Sequence, residues 1–194
     1  MTGTVDQLFE ILKHPGFLEM KGLANEVPIF IKTYSPAEED KMEQRISTLE
    51  TRLKNAGVSL VVVDLFQIVI ELLTAEGRLA RALEKEASMG KRKMLEMLNN
   101  VADPKSKLIP RLASIIRTSG INLTLIKGVG HVHPFLRTHT ILESLQPVMM
   151  PHPVVMFFPG EYTYEEGLGS RLRLFNCLPD KHYYRAFNLD HYRI

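Results

Sequence analysis

The sequence predicts an α/β fold, a mostly parallel sheet of about five strands with helices on both faces. Residues 58–65 (VSLVVVDL) are almost continuously apolar, which is typical of a strand covered on both faces of a parallel sheet. Strand-like apolar runs alternate with amphipathic helical patterns along the chain, as they do in βαβ units. Residues 121–162 repeat this alternation and place glycines and histidines where strands end, so a functional site is expected there.

The first half of the chain begins with a helix over Val5–Lys13, whose apolar residues recur at helical spacing. Residues 27–33 (VPIFIKT) are rich in β-branched and aromatic residues and predict the first strand. Ser35 and Glu38 match a capping box, so we expect a helix to follow and to run to about Asn55. The continuously apolar run is then the second strand.

The second half begins with a predicted helix at residues 66–73 and polar helical segments at residues 75–100. Asp103 is the predicted N-cap of a further helix, in which Pro110 should produce a kink or a break. The remaining elements are predicted as strand, helix, strand, short helix and strand, at residues 121–127, 134–145, 154–158, 171–175 and 183–188. We predict one domain over residues 1–194, with residues 75–100 as a helical lobe on it.

The composition is that of an ordinary globular protein, since 45% of the 194 residues are hydrophobic and 24% are charged. The net charge of +2 by itself predicts neither a nucleic acid nor an anionic membrane as a partner. Cys177 is the only cysteine, so an internal disulfide is impossible and a reducing compartment is expected. No segment resembles a signal peptide or offers about 20 uninterrupted apolar residues, so we expect a soluble, cytoplasmic protein without a membrane contact.

The motifs of common enzymes are missing from the sequence. The phosphate-binding loop G-x-x-x-x-G-K-[ST] does not occur, and Gly128-Val-Gly130-His-Val-His133 lacks the third glycine of a dinucleotide-binding loop. No G-x-S-x-G elbow is present, and Cys177 has no nearby Cys–His–Asn arrangement. We therefore predict no catalytic residues, no cofactor and no enzymatic activity.

His131 and His133 are weak candidates for a metal site. The spacing His-x-His at the end of a strand can place two imidazoles on one cation, and His139, His152 and Glu161 lie nearby in the sequence. However, no nearby acidic residue has the spacing of a metal ligand, and His139 falls on the apolar stripe of a predicted helix. The favoured interpretation is two polar loop residues, with His139 facing the core and no metal bound.

A group of charged and aromatic residues is expected to contact a partner. Arg137 lies in the first turn of a predicted helix, where it can bind an anion or pair with Glu161. The region from residue 171 onward is rich in arginine and tyrosine, which are common in protein interfaces and also suit base stacking. Burial of these side chains within the fold is the alternative. The candidate interaction residues are Arg137, Glu161, Tyr162, Arg171, Arg173, Tyr183, Tyr184 and Arg185.

Lys91, Arg92 and Lys93 form a small basic cluster within the predicted helical lobe. A solvated helix face is the favoured interpretation of this cluster. Contact with a phosphate or with an acidic partner is the alternative.

Three motifs occur together in this chain: the pair Gly128 and Gly130, Pro-Phe-x-Arg-x-His at residues 134–139, and Phe-Phe-Pro-Gly-Glu-Tyr at residues 157–162. With the segments at residues 20–36, 170–175 and 183–189, they resemble the BrxB family of BREX bacteriophage-resistance systems. The resemblance covers nearly the whole chain in order and spacing. The helices between residues 73 and 120 match only in character.

The resemblance implies a bacterial defence protein that acts in a multi-protein assembly and has no catalytic residues assigned to it. Such assemblies contain a large ATPase (BrxC), a methyltransferase (PglX) and a phosphatase-like protein (PglZ). PglZ is the first expected partner, followed by BrxC and PglX, and DNA is expected only through the complex. The order of strands and helices is also similar to a P-loop ATPase core that has lost its phosphate loop, and such a likeness of fold does not fix function.

Three functions are consistent with the sequence. The favoured function is a non-catalytic adaptor of a BREX complex. The second is a nucleotide- or nucleic-acid-binding module that uses the strand ends, the basic cluster and the aromatic residues near the C-terminus. The third is a metal-dependent hydrolase that uses His131 and His133.

Overall fold

A computed structural model of the chain describes residues 4–21, 27–148, 150–165, 169–179 and 186–192. The α-helices are Val5–Lys13 (α1), Pro15–Leu18 (α2), Glu39–Asn55 (α3), Leu65–Ala75 (α4), Leu79–Lys85 (α5), Lys91–Val101 (α6), Ile109–Ile116 (α7) and Thr138–Leu145 (α8). The strands are Ile29–Tyr34 (β1), Leu60–Asp64 (β2), Leu123–Lys127 (β3), Val154–Glu165 (β4), Gly169–Leu174 (β5), Leu178–Pro179 (β6) and Phe187–Asn188 (β7). Among the described residues, no helix is both long and apolar enough to span a bilayer.

Five strands form a parallel sheet in the order β2-β3-β4-β1-β7, which confirms the predicted α/β fold. β1 therefore lies away from β2, and α3 has to cross β3 and β4 to connect them. Beyond the sheet, β4 continues as an antiparallel hairpin with β5, and β6 pairs with β5. The similarity to P-loop ATPase cores stays a prediction, and so does the assignment of residues 1–194 to one domain.

Helices cover both faces of the sheet, and each face has its own apolar core. α1, α2 and α3 supply the first core, in which Leu12, Leu49 and Phe157 are almost fully buried. α4, α7 and α8 supply the second core, around Leu112 and Phe158. Successive residues of β4 thus face opposite cores, as the period of two in a strand requires. Burial of each such side chain contributes about 1.5–3 kcal/mol, so the two cores fix the sheet between the helices.

The hairpin strand β5 corrects the prediction of a short helix at residues 171–175. Leu172 and Leu174 are buried, whereas Arg173 between them is exposed. This alternation has the period of a strand, and a run of five residues is too short to separate it from a helical pattern by inspection. Of the strand predicted at residues 183–188, only Phe187–Asn188 falls within the described residues, where it forms β7.

Two predicted helix starts also differ from the structure. The helix expected from residue 134 begins at Thr138, because consecutive turns occupy the loop before it, with backbone bonds such as Leu136 N to Val132 O at 2.9 Å. Ser35 makes no capping hydrogen bond, because a 3₁₀ turn at Pro36–Glu38 separates it from α3.

The start predicted at Asp103 is confirmed. The Asp103 carboxylate accepts a hydrogen bond from the backbone N–H of Ser106 at 2.8 Å. Near Pro110, where a kink or a break was predicted, a π-helical turn at Pro104–Leu108 passes into α7 at Ile109, and Pro110 lies in the first turn of α7.

A buried ion pair ties the segment after β7 to the sheet. Lys32, in β1, has only 1% of its side chain exposed, and its ammonium group pairs with the carboxylate of Asp190. Asp190 lies in the short 3₁₀ turn Leu189–His191. Beside that turn, the ring of Tyr192 stands edge-on to the ring of Phe30, with 5.8 Å between the ring centroids. The turn therefore closes one end of the first core.

Removal of the carboxylate should cost more stability than removal of the ammonium group. Asp190→Asn leaves a buried cation without a counter-charge, and we expect it to lower the free energy of unfolding by about 3 kcal/mol. Lys32→Met replaces the cation with an apolar side chain of similar length, and the Asp190 side chain, 27% exposed, can then be hydrated. That loss should stay below about 1 kcal/mol. Urea denaturation of both variants measures the two losses in the free energy of unfolding. A larger loss for Lys32→Met than for Asp190→Asn would contradict the expectation.

His152 lies just before β4, at the edge of the sheet where the strands begin, and is only 2% exposed. Its Nε2 atom lies 2.8 Å from the hydroxyl oxygen of Thr124 in β3. Burial lowers the pKa of the imidazole, because the cation would lose its hydration inside the protein. His152 is therefore a packed, hydrogen-bonded residue at the edge opposite the expected site.

The lowered pKa of His152 should make stability depend on pH. Unfolded histidine has a pKa of about 6.5, so below that pH the unfolded chain binds the proton more readily than the folded protein does. The stabilisation by this group is complete above about pH 6.5 and is lost as the pH falls towards the folded-state pKa. Wild type should therefore lose stability more steeply than His152→Gln, by at most about 1.4 kcal/mol per pH unit. Urea denaturation from neutral to mildly acidic pH measures both slopes. The other histidines are the same in both proteins, so equal slopes would contradict the expectation.

Candidate functional site

The candidate site is the edge of the sheet at which the parallel strands end. β1 ends at Tyr34, β2 at Asp64 and β3 at Lys127, and the loop after β3 contains residues 128–133. β4 passes the same edge before it enters the hairpin with β5. Open parallel sheets bind ligands outside these carboxyl ends, so the groups at this edge decide what the site can do.

Lys127 is the centre of an ion-pair network at this edge. Its ammonium group contacts a carboxylate oxygen of Glu43 in α3 and lies 3.5 Å from Oδ2 of Asp64 at the end of β2. Burial alone lowers the pKa of Lys127, but the hydrogen bond with Glu43 and the charges of Glu43 and Asp64 outweigh it and raise the pKa above its ordinary value. Lys127 therefore stays protonated and joins β2, β3 and α3.

Glu39 is the centre of a second polar contact, next to the first. The hydroxyl group of Tyr34 donates a hydrogen bond to Oε2 of Glu39 at 2.8 Å, and Nε2 of His131 lies 3.6 Å from Oε1 of the same carboxylate. Burial raises the pKa of Tyr34, and the hydrogen bond and charge of Glu39 raise it further. Tyr34 is thus a fixed hydrogen-bond donor that holds the start of α3 against the end of β1.

The first glycine of the Gly-x-Gly motif is required by the same network. Asp64 uses its Oδ1 atom to cap α4, accepting from the backbone N–H groups of Phe66 at 2.9 Å and Gln67 at 3.3 Å. Gly128 has a φ of +77°, and a Cβ atom there would lie 2.6 Å from that oxygen. Glycine therefore satisfies both the left-handed backbone and the close approach to Asp64.

The second glycine packs against the hairpin. A Cβ atom at Gly130 would lie 3.0 Å from the ring of Phe175 and 3.1 Å from the ring of Pro159. A Cβ atom at Gly160 would lie 2.1 Å from the carbonyl oxygen of Arg173 across the hairpin. Gly130 and Gly160 thus permit the loop after β3 and the hairpin to pack closely.

The two candidate metal ligands, His131 and His133, face different neighbours. His131 is 46% exposed and points to Glu39, whereas the ring of His133 stands edge-on to Phe175, with 6.1 Å between the centroids. Burial lowers the pKa of His133, and the nearby charge of Arg137 lowers it further. Within the described ranges, no group of at least three histidine, cysteine, aspartate or glutamate residues is arranged to hold a metal ion. His139 is half-buried in α8.

The hairpin of β4 and β5 carries four of the predicted interaction residues. Glu161 pairs across the strands with Arg173, at 3.4 Å, and both side chains are about half exposed. Arg171 lies opposite Thr163 in the same ladder. The Tyr162 hydroxyl donates to the carbonyl oxygen of Ala186 at 3.0 Å, which ties the hairpin to the segment before β7.

Arg137 is exposed at the N-terminus of α8. Glu161, which was predicted as one possible partner of Arg137, pairs with Arg173 instead. Tyr183, Tyr184 and Arg185 lie outside the described residues. Glu39, Glu43 and Lys127 were not predicted as site residues, although the two acids fall in the helix after β1 and the lysine ends a strand. Charged residues at the ends of strands and starts of helices were the available signal.

The chain is similar to proteins of a named family. A model of the family described as BREX protein BrxB matches residues 61–189. A protein named BREX protein BrxB from Bacillus cereus (strain H3081.97) is 31% identical over 95% of this chain and 95% of its own length. A protein of the same name from Escherichia coli O9:H4 (strain HS) is 25% identical over 95% of this chain and 89% of its own length. No solved structure matches the chain.

Substitution of Gly128 by alanine should destabilise the protein more than the same substitution at Gly120. Both glycines have a left-handed φ, which costs alanine about 1–2 kcal/mol. At Gly120 the new Cβ atom meets nothing within 4 Å, whereas at Gly128 it meets Asp64. That clash should add about 1–3 kcal/mol. Thermal or urea denaturation measures the difference, and equal losses for the two variants would show that the close approach at Gly128 does not matter.

Proposed function

This chain belongs to the BrxB family, and on that basis we propose that it is a non-catalytic adaptor within a bacterial BREX complex. BREX systems resist bacteriophages, so membership of the family implies a role in phage defence. The relatives are named as BREX proteins, which supports action together with other BREX proteins in the bacterial cytoplasm. An adaptor contributes surfaces for binding and holds its partners in position.

The proposal rests most on the way the polar groups at the carboxyl edge are used. Lys127 contacts Glu43 and Asp64, and Tyr34 donates to Glu39, so these groups hold one another in fixed orientations. The environment raises the pKa of both Lys127 and Tyr34, which moves each value further from neutrality. A general acid or base works best with a pKa near the operating pH. The network therefore favours a structural role for this edge.

The hairpin of β4 and β5 is the surface that we assign to the partner. It extends beyond the sheet and presents the exposed side chains of Glu161 and Arg173 to the solvent. Arginine is enriched in protein interfaces, and a carboxylate beside it gives directional contacts. PglZ is the expected partner, with BrxC and PglX next, and DNA is expected to be reached only through the complex.

Co-purification from cells that carry an intact BREX system tests the proposal. Tagged wild-type protein should recover PglZ, and the double variant Glu161→Ala/Arg173→Ala should recover much less, because it removes the contacts of the hairpin. The matched control is Glu50→Ala/Lys54→Ala, which removes another exposed ion pair, of 2.6 Å, on α3. Exposed pairs contribute about 0–1 kcal/mol to stability, so both variants should fold.

The outcomes separate the two parts of the proposal. If the wild-type protein recovers no other BREX protein, the adaptor function is wrong. If the hairpin variant and the control both recover PglZ as wild type does, the adaptor function stands and the hairpin is not its surface.

A further inference from the structure

The turn between α5 and α6 carries a cluster of cations that the proposed function does not use. A cavity of about 510 Å³ opens there, and its lining includes Met89 and four basic side chains. These are Lys85, Lys91, Arg92 and Lys93, all of them exposed. We call residues 85–93 the basic corner.

The positive charge of the basic corner is largely unneutralised. In the part of the chain that the structure describes, Lys85, Lys91 and Lys93 form no ion pair, and Arg92 has a single contact of 3.7 Å with Glu96. That contact joins two highly exposed side chains and contributes little. Lysines on α1 and α3, in contrast, contact carboxylates at 2.9 and 2.6 Å. The field of the basic corner is therefore directed into solvent, where it attracts anionic groups.

The same cations are unfavourable for the helix that carries them. Lys91, Arg92 and Lys93 occupy the first turn of α6, and the N-cap residue Gly90 has no side chain to cap it. The N-terminal end of a helix has partial positive charge, so acids normally occupy this position, as in the first turn of α3. Cations in this turn are therefore locally unfavourable. A local cost without an internal contact to offset it is typical of residues that serve binding.

An apolar side chain lies beside the charge. Met89 lines the cavity and is half-buried. Leu83, earlier on α5, is 64% exposed, the most exposed of the large hydrophobic side chains that the structure describes. Methionine is flexible and polarisable and adapts to varied apolar partners. A ligand of the basic corner should therefore combine negative charge with apolar groups.

We propose that the basic corner binds an acidic segment of a partner protein, in which glutamate or aspartate alternates with apolar side chains. A nucleic acid fits less well. Residues 76–101 contain no aromatic side chain on which a base could stack. Glu84, Glu86 and Glu96 stand among these cations along the chain, so the positive charge is discontinuous, which suits spaced carboxylates better than the continuous phosphates of a duplex. This inference goes beyond the adaptor function, because it concerns a different surface and can be tested on the isolated chain.

Fluorescence anisotropy with the purified full chain tests the inference. The probe is a fluorescein-labelled peptide that repeats Glu-Glu-Leu, and wild type should bind it more weakly as salt is added. Lys91→Glu/Lys93→Glu should weaken binding about tenfold or more, because it replaces two attractive charges with two that repel the acidic peptide. The melting temperature of this variant should hold or rise, since acids suit the first turn of a helix. A purely structural role would not give a rise in stability with a loss of binding.

The matched control is Lys21→Glu/Lys41→Glu, which makes the same charge change at two lysines whose side chains are 71% and 69% exposed elsewhere. It should bind the peptide as wild type does. Lys91→Gln/Lys93→Gln removes the charge without reversing it. This variant replaces Lys91→Glu/Lys93→Glu in the binding measurement if the latter does not fold.

Three outcomes would overturn the inference. The first is that wild type does not bind the peptide, and the second is that the control loses binding as much as the variant of the basic corner. The third is that wild type binds a mixed-sequence DNA duplex through Lys91 and Lys93 and binds the peptide no better than the variant does. A peptide that repeats Glu-Glu-Ser should bind more weakly than the leucine peptide, and equal affinities would overturn the apolar part of the assignment.

Discussion

The crossing of α3 over the sheet is the constraint on which the rest of the structure depends. β3 and β4 lie between β1 and β2, so the helix that connects β1 to β2 has to span both of them. Two contacts fix the start of that helix, Tyr34 to Glu39 and Lys127 to Glu43. Lys127 also reaches Asp64, so one cation joins the helix to two strand ends. A partly buried cation with two carboxylates around it avoids the large cost of an uncompensated charge.

The strands could be predicted because a buried parallel strand is a local pattern. The apolar runs at residues 58–65 and 121–127 needed no knowledge of distant residues, and they contain β2 and β3. β5 was predicted wrongly, since its leucines and arginines alternate over too few residues to exclude a helix. The Lys127 network was beyond reach because Lys127 and Glu43 are 84 positions apart and no local pattern selects that pair. Gly128 was singled out correctly, but its role is close packing against Asp64.

Two regions of this protein differ in whether their cations are paired with carboxylates. At the carboxyl edge, where many α/β proteins bind ligands, Lys127 contacts the carboxylates of Glu43 and Asp64, so this cation has its counter-charges within the fold. At the basic corner, three lysines of the described region have no carboxylate partner and three basic residues oppose the dipole of α6. The fold thus pairs the cation at the carboxyl edge with carboxylates and leaves unpaired cations at the turn between α5 and α6.

The ion pair between Lys32 and Asp190 also determines when the surroundings of β1 can be completed during synthesis on the ribosome. The two residues are 158 positions apart, so β1 is synthesised long before the strand and turn that finish its surroundings. Until β7 arrives, one side of β1 has no neighbouring strand, and the lysine has no counter-charge. An unpaired strand edge is a template for aggregation. A copy that stopped short of this turn would therefore keep an unpaired edge on β1 and an unpaired Lys32.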